Sequence, residues 1–149
     1  TGEFALGIIP HFKEIGLPAV AALREAGAHI IDIRSSTTGV VEEIGRCRTI
    51  ASSSLHGLVA GDAYGVPSIW VRFSDHPGGD GFKFRDYLAS TESRAEEPLF
   101  VGTATSVAEI EDRFGAPPAA AQLSALADAL LAACPFLDPS RVRSDGSIV

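Results

Sequence analysis

The chain has 149 residues, 46% of them apolar and 21% charged, the mix of an ordinary soluble globule that buries roughly 70% of its unfolded surface without disulfide or metal staples. A net charge of −7 argues against a nucleic-acid-binding domain, which would carry a basic face. No apolar run approaches the roughly 20 residues needed to cross a bilayer, and no signal peptide is visible. Ala5–Pro10 is a continuous apolar run, as expected of a strand buried on both faces. Leu17–Ala26 reads as a helix, with Pro18 suited to its first turn and Gly27 to its C′ position. His29–Arg34 is a second strand, Val40–Cys47 a short helix approached through Thr37, Thr38 and Gly39, and Arg48–Ser52 a third strand. Leu55–Tyr64 is a helix stopped by Gly65, and Ser68–Phe73 a fourth strand rich in β-formers. Phe82–Ser90 is a helix after a glycine-rich loop, Leu99–Val101 a short fifth strand, and Ser106–Phe114 a helix opened by the capping box Ser106-x-x-Glu109. Pro117–Cys134 is the longest helix, and the tail from Pro135 is expected to fray.

Strand–helix alternation with apolar strands implies a single α/β domain over 1–149, with five parallel strands and helices on both faces. The strand order is the flavodoxin-like 2-1-3-4-5 or the Rossmann-like 3-2-1-4-5. In either, ligands sit beyond the carboxyl ends of the strands, at the switch point. With the first order, His11 and the Ser52–Gly57 turn face each other. Cys47 and Cys134 have neither metal spacing nor a disulfide framework and read as buried free thiols in a reducing compartment. The chain lacks Met, even at position 1, and is expected to be a piece of a longer protein.

Two segments carry chemistry. In Ser52-Ser53-Ser54-Leu55-His56-Gly57 a strand turns into a helix, with Ser53 or Ser54 as N-cap. The backbone N–H groups of His56, Gly57 and Leu58 are expected to be free there and, with the helix dipole, to favour an anion. His56 can bond a phosphate oxygen or move a proton near neutral pH; the plain alternative is a capped helix with a solvent-facing imidazole. Gly57, Gly61 and Gly65 leave a side-chain-free stripe for the sheet or a ligand. The second segment, Ser74–Arg85, reads either as a flap that brings Lys83 to the anion or as a mobile solvated loop. A metal group from Asp75, His76 and Asp80 is a weaker reading. His11 follows a strand and should lie at the carboxyl edge. His29 is expected at the opposite edge, inert, and Glu42 and Glu43 on an exposed helix face. Arg34 and Arg72 could bind a carboxylate or phosphate bidentately, or pair with a local acid. Trp70 reads as core, and no Walker loop, GxGxxG or nucleophile elbow is present.

Val40–Leu88, with its "EI..C", "S-S-L-H-G", "A-x-G-x-P" and "RFSD…GDGFKFRDY" segments, resembles the polysaccharide pyruvyl transferase family, and its exopolysaccharide branch in particular. Gly7–Phe12 (GIIPHF) matches the "IPH" that opens the family's C-terminal half. The resemblance covers roughly residues 5–100 and is silent on the last 50 or so. It implies the C-terminal, donor-binding half of a two-domain enzyme shaped like a GT-B glycosyltransferase, with the N-terminal domain missing and this chain alone inactive. It implies cytoplasmic pyruvyl transfer from phosphoenolpyruvate to two hydroxyls of a lipid-linked or free saccharide, forming a cyclic ketal; attachment to the inner face of the membrane stays open. No metal or cofactor is required, phosphoenolpyruvate being a substrate. His56 is the implied catalytic residue. Substrate binding falls to Ser52, Ser53, Ser54, Leu55, Gly57, His11, Arg72 and Lys83. Some members carry Arg where this chain has Ser54, so the cationic clamp would have to come from Arg72, Lys83 or the missing domain. The alternatives are a GT-B glycosyltransferase or sugar epimerase half-domain that takes a nucleotide sugar, and a non-catalytic anion-binding module.

Overall fold

The computed structural model describes residues 2–75, 81–91 and 97–135. They fall into two compact units, one up to Pro118 and one from Ala119. The first holds β1 (Phe4–Ile9), α1 (Pro18–Glu25), β2 (His29–Ile30), α2 (Thr37–Gly45), β3 (Cys47–Ser52), α3 (Leu55–Ala63), β4 (Ser68–Arg72), α4 (Phe82–Thr91), β5 (Leu99–Phe100) and α5 (Val107–Glu111). The second holds α6 (Ala120–Ala133), which has no buried residue.

All five strands are parallel, in the order β2-β1-β3-β4-β5, which selects the flavodoxin-like order over the Rossmann-like one. Alternate residues of a strand face opposite sides of the sheet, and the core follows that parity. Leu6, Ile8, Ala51 and Val71 pack on one face with Leu23 of α1 and Ile110 of α5. On the other face, Ile9 and Ile50 pack with Val40 and Ile44 of α2, and Trp70 with Leu58 of α3 and Phe84 and Leu88 of α4. Each of these fully buried Leu and Ile side chains contributes about 1.5–3 kcal/mol. Helices therefore cover both faces, because the strands are apolar on both.

The element boundaries differ from the sequence reading where side chains decide them. The second strand stops at Ile30 rather than Arg34. Beyond Ile31, whose N–H still donates to the Ile8 carbonyl (2.9 Å), Asp32 accepts from the Arg34 backbone and guanidinium, and this local turn ends the ladder. Ser36 caps α2 through the Gly39 N–H (3.2 Å), so the helix starts before Val40. Cys47 opens β3 instead of closing α2, and its buried thiol fills the space over Gly7, where a Cβ would lie 2.7 Å from Sγ. Burial raises that thiol's pKa to about 11. Cys134 is only half-buried, unlike the buried thiol expected there. The Ser106–Glu109 capping box is present in full. The expected fraying of the tail beyond Pro135 concerns residues outside those described.

The amino edge of the sheet is closed by a polar cluster. His29 stacks on Phe4 with ring centroids 3.9 Å apart and bonds Glu43. Arg46 ties Glu43 (2.6 Å) to Glu3 (2.9 Å). Glu43 is thus a half-buried partner, not part of an exposed face, and its pKa is lowered first by the His29 bond. His29 lies at the edge opposite the strand carboxyl ends, as expected.

Candidate active site at the carboxyl edge of the sheet

The switch point lies between β1 and β3, and there the turn after each strand touches the other. The His11 N–H donates to Ser53 Oγ at 2.8 Å, and the Ser53 N–H donates to the Ile9 carbonyl at 3.1 Å. His11 and the Ser52–Gly57 turn do face each other.

The three serines are buried, at 0%, 3% and 7% exposure, so their hydroxyls need protein partners. Ser52 Oγ lies 3.1 Å from the Ile9 carbonyl and 2.8 Å from the Ser54 carbonyl, toward which its hydroxyl donates, and accepts the Ser54 N–H at 3.0 Å. Ser53 Oγ donates to Glu14 at 2.6 Å. Ser54 is the N-cap of α3 with extended backbone and no capping bond from its side chain. The hydroxyls of Ser52 and Ser53 therefore shape the turn from within.

The glycine stripe explains how α3 sits so close to β3. A Cβ on Gly57 would lie 2.3 Å from Ser52 Oγ, and one on Gly61 2.7 Å from Ile50 Cδ1. The stripe serves the sheet. Gly65 ends the helix at φ +68°, where glycine is favoured.

At the first turn of α3, the N–H groups of Leu55 and His56 meet no acceptor among the described residues. The Gly57 N–H, expected to be free, donates to the Ser54 carbonyl at 3.0 Å. The anion-attracting end of the helix is thus its first two N–H groups, with the dipole behind them. His56 is exposed in this first turn. It lines a cleft of about 560 Å³ between α2 and α3, together with Ser35, Thr37 and the apolar Val40, Val41, Val59 and Ala63.

On the other side of the switch point, His11 is half-buried. Its pKa is lowered chiefly by burial, with the Lys83 and Lys13 charges adding and the Glu14 charge opposing. Its Nδ1 accepts the Lys13 N–H at 3.3 Å, which leaves the proton of the neutral ring on Nε2. Lys83, exposed in the first turn of α4, is near enough for its charge to act on this imidazole. Arg72, at the end of β4, is half-buried over the Phe100 ring (5.2 Å to the centroid), with a guanidinium nitrogen 3.4 Å from Asp75. Arg34 is paired with Asp32 at 2.6 Å, the local alternative, and holds that carboxyl down to about 2. No cluster of three His, Cys, Asp or Glu side chains able to hold a metal occurs among the described residues. Two of the residues weighed for a metal, His76 and Asp80, lie outside them, as does most of the loop expected to be mobile.

One residue escaped the sequence reading. Glu14 is 1% exposed, and its carboxylate accepts the Ser53 hydroxyl on one oxygen and the Ser74 hydroxyl on the other, each at 2.6 Å. In sequence it looks like any solvated glutamate. The available signal was its place in the turn just past the first strand, three residues after His11, at the edge that the carboxyl-edge rule selects.

Residues 3–75 match the polysaccharide pyruvyl transferase family. The chain is 32% identical over 90 residues to the uncharacterized protein L143 of Acanthamoeba polyphaga mimivirus, across 58% of this chain and 31% of that protein. It is 30% identical over 80 residues to the succinoglycan biosynthesis protein ExoV of Rhizobium meliloti (strain 1021), across 53% of this chain and 25% of ExoV. The match thus spans a third or less of either curated relative's length. No solved structure matches. The described residues contain no helix long and apolar enough to cross a membrane. The matched segment runs from β1 past β4 and contains both sides of the switch point, His11 and the Ser52–Gly57 turn, and over this segment the chain matches the polysaccharide pyruvyl transferase family.

Proposed function

We propose that this chain is the donor-binding half of a pyruvyl transferase of exopolysaccharide biosynthesis. It would hold phosphoenolpyruvate while two hydroxyls of a saccharide take the pyruvyl group as a cyclic ketal. The observation that carries the reading is the placement of Leu55-His56-Gly57. This motif of the family-matched segment opens α3 beyond β3, with two N–H groups that meet no acceptor among the described residues and an exposed imidazole.

The chemistry asks for four events. A proton must reach C3 of the enol phosphate, so that C2 becomes electrophilic. The first saccharide hydroxyl then adds to C2 and loses its proton. The C2–O bond to phosphate breaks with its electron pair leaving on phosphate, and the second hydroxyl closes the ketal with loss of its own proton. His56 is the group on this chain suited to the proton transfer at C3. The Leu55 and His56 N–H groups at the dipole end of α3, with His11 Nε2–H and Lys83 across the switch point, suit the phosphate and carboxylate. Arg72 could join them only by turning from Asp75. Ser52, Ser53 and Gly57 act by shaping the turn. The acceptor site and any further cation would lie on the other domain of the enzyme.

The test is a binding panel on this chain, with phosphoenolpyruvate, a nucleoside diphosphate and inorganic phosphate. Phosphoenolpyruvate should bind tightest. Preference for the nucleoside diphosphate would replace this reading by a glycosyltransferase-like one. In a full-length enzyme, His56→Ala should lower turnover by at least about a hundredfold with little change in stability, because the side chain is exposed. Near-normal turnover would remove His56 from the chemistry.

A further inference from the structure

The carboxyl edge of an open parallel sheet is built from separate turns. The turns after β1 and β3 are joined by the Ser53 N–H bond to the Ile9 carbonyl (3.1 Å), and one side chain joins both of them to the turn after β4. Glu14, in the turn after β1, is buried, and its two oxygens receive hydroxyls from two other turns: Ser53 after β3 and Ser74 after β4. The same Ser53 Oγ accepts the His11 N–H at 2.8 Å, so the clamp extends back to the start of the turn after β1. Glu14 is itself fixed by tight turns: its N–H donates to the His11 carbonyl at 2.7 Å, and its carbonyl accepts the Leu17 N–H at 2.9 Å. A buried carboxylate is costly unless its oxygens are satisfied, and a carboxylate that receives two hydroxyls gives short, strong bonds. An apolar residue in the same place would cement the turns without setting their register. A carboxylate requires both serine hydroxyls to point at it, and that fixes the turns.

We infer that Glu14 is a positioning residue: its buried carboxylate locks the turns after β1, β3 and β4 together, and so fixes His11 against the turn that opens α3. Its value to catalysis rests on the donor-site reading above; the clamp itself does not.

Three variants of this chain test it, read by amide hydrogen exchange and by phosphoenolpyruvate affinity. Glu14→Met keeps the volume and removes both acceptors. Glu14→Gln keeps one acceptor and offers an N–H to the second hydroxyl, which can turn to accept it. Ser74→Ala removes one arm and leaves the Ser53 Oγ that accepts the His11 N–H in place. Glu14→Met and Ser74→Ala should speed exchange at the His11 amide by at least about tenfold relative to the Ile8 and Ile50 amides of the sheet, and weaken phosphoenolpyruvate by a similar factor. Glu14→Gln should stay within about threefold of the parent on both readouts. Combining Glu14→Met with Ser74→Ala should add little at His11, because Glu14→Met has already removed the acceptor of the Ser74 hydroxyl. If Glu14→Met does not fold, Ser74→Ala carries the same readouts. Parent-like exchange at His11 in folded Glu14→Met, a Glu14→Gln as impaired as Glu14→Met, or full additivity of the pair would each overturn the clamp. If the parent chain binds no phosphoenolpyruvate, the donor-site reading fails, while the exchange at His11 still decides for or against the clamp.

Discussion

Replacing Gly57 by alanine and replacing Gly45 by alanine should move stability in opposite directions, although both glycines are helical. In an exposed helix position the exchange gains up to about 1 kcal/mol from backbone entropy alone. Gly45, in the last turn of α2, has nothing within 4 Å of the position its Cβ would take, and Gly45→Ala should gain about 0.5 kcal/mol. Gly57 offers no such room. Its Cβ would lie 2.3 Å from Ser52 Oγ, 2.9 Å from Ser52 Cβ and 3.1 Å from Ile9 Cδ1, and both neighbours are fully buried. Ser52 cannot swing aside without giving up its bonds to Ile9 and Ser54, worth about 1 kcal/mol each. Overpacking costs about 1–3 kcal/mol. Less the propensity gain, Gly57→Ala should destabilise by about 2 kcal/mol or more. At about 3–5 °C per kcal/mol for a unit of this size, Tm should fall by about 6–10 °C, while Gly45→Ala should raise it by about 2 °C. The assay is thermal unfolding of the three proteins by circular dichroism, supported by urea midpoints. A Gly57→Ala protein as stable as the parent would refute the close approach of α3 to β3, and with it the placement of His56.

Other expectations follow from single groups. Cys47, buried and with its pKa raised to about 11, should resist iodoacetamide at pH 8 in the folded chain and react at once in urea; rapid labelling of the native thiol would place it elsewhere. Asp32, held at about 2 by Arg34, ionises more readily folded than unfolded, so its stabilising contribution is present above the unfolded value near 4 and is lost as pH falls from there through about 2. Since the pair is largely exposed, the contribution is small, within about 1 kcal/mol, and Asp32→Asn should remove that part of the acid slope in urea titrations at pH 5, 3.5 and 2.5.

The alternation of apolar runs and amphipathic stretches was enough to read the parallel α/β class, because strands buried on both faces must be apolar throughout and the helices between them must not be. Capping chemistry is local, so the Ser106-x-x-Glu109 box was legible too, whereas the choice of Ser54 over Ser53 at the start of α3, made without a capping bond from its side chain, was not. The serine turn, His56 and His11 could be placed at the carboxyl edge by the rule for open sheets. Strand order was a different matter: both candidate orders suit the same pattern, and the pairing of β1 with β3 is settled by long-range packing. The second strand ended early because Asp32 captured the backbone and side chain of Arg34, a choice between two hydrogen-bonding partners that periodicity does not register. The serine hydroxyls looked like ligands for an anion, yet folding turned Ser52 and Ser53 inward, since buried hydroxyls must find acceptors. Glu14 shows where the limit lies. Its burial depends on Ser53 and Ser74, 39 and 60 residues away, coming to the same point, and only the tertiary structure brings them there.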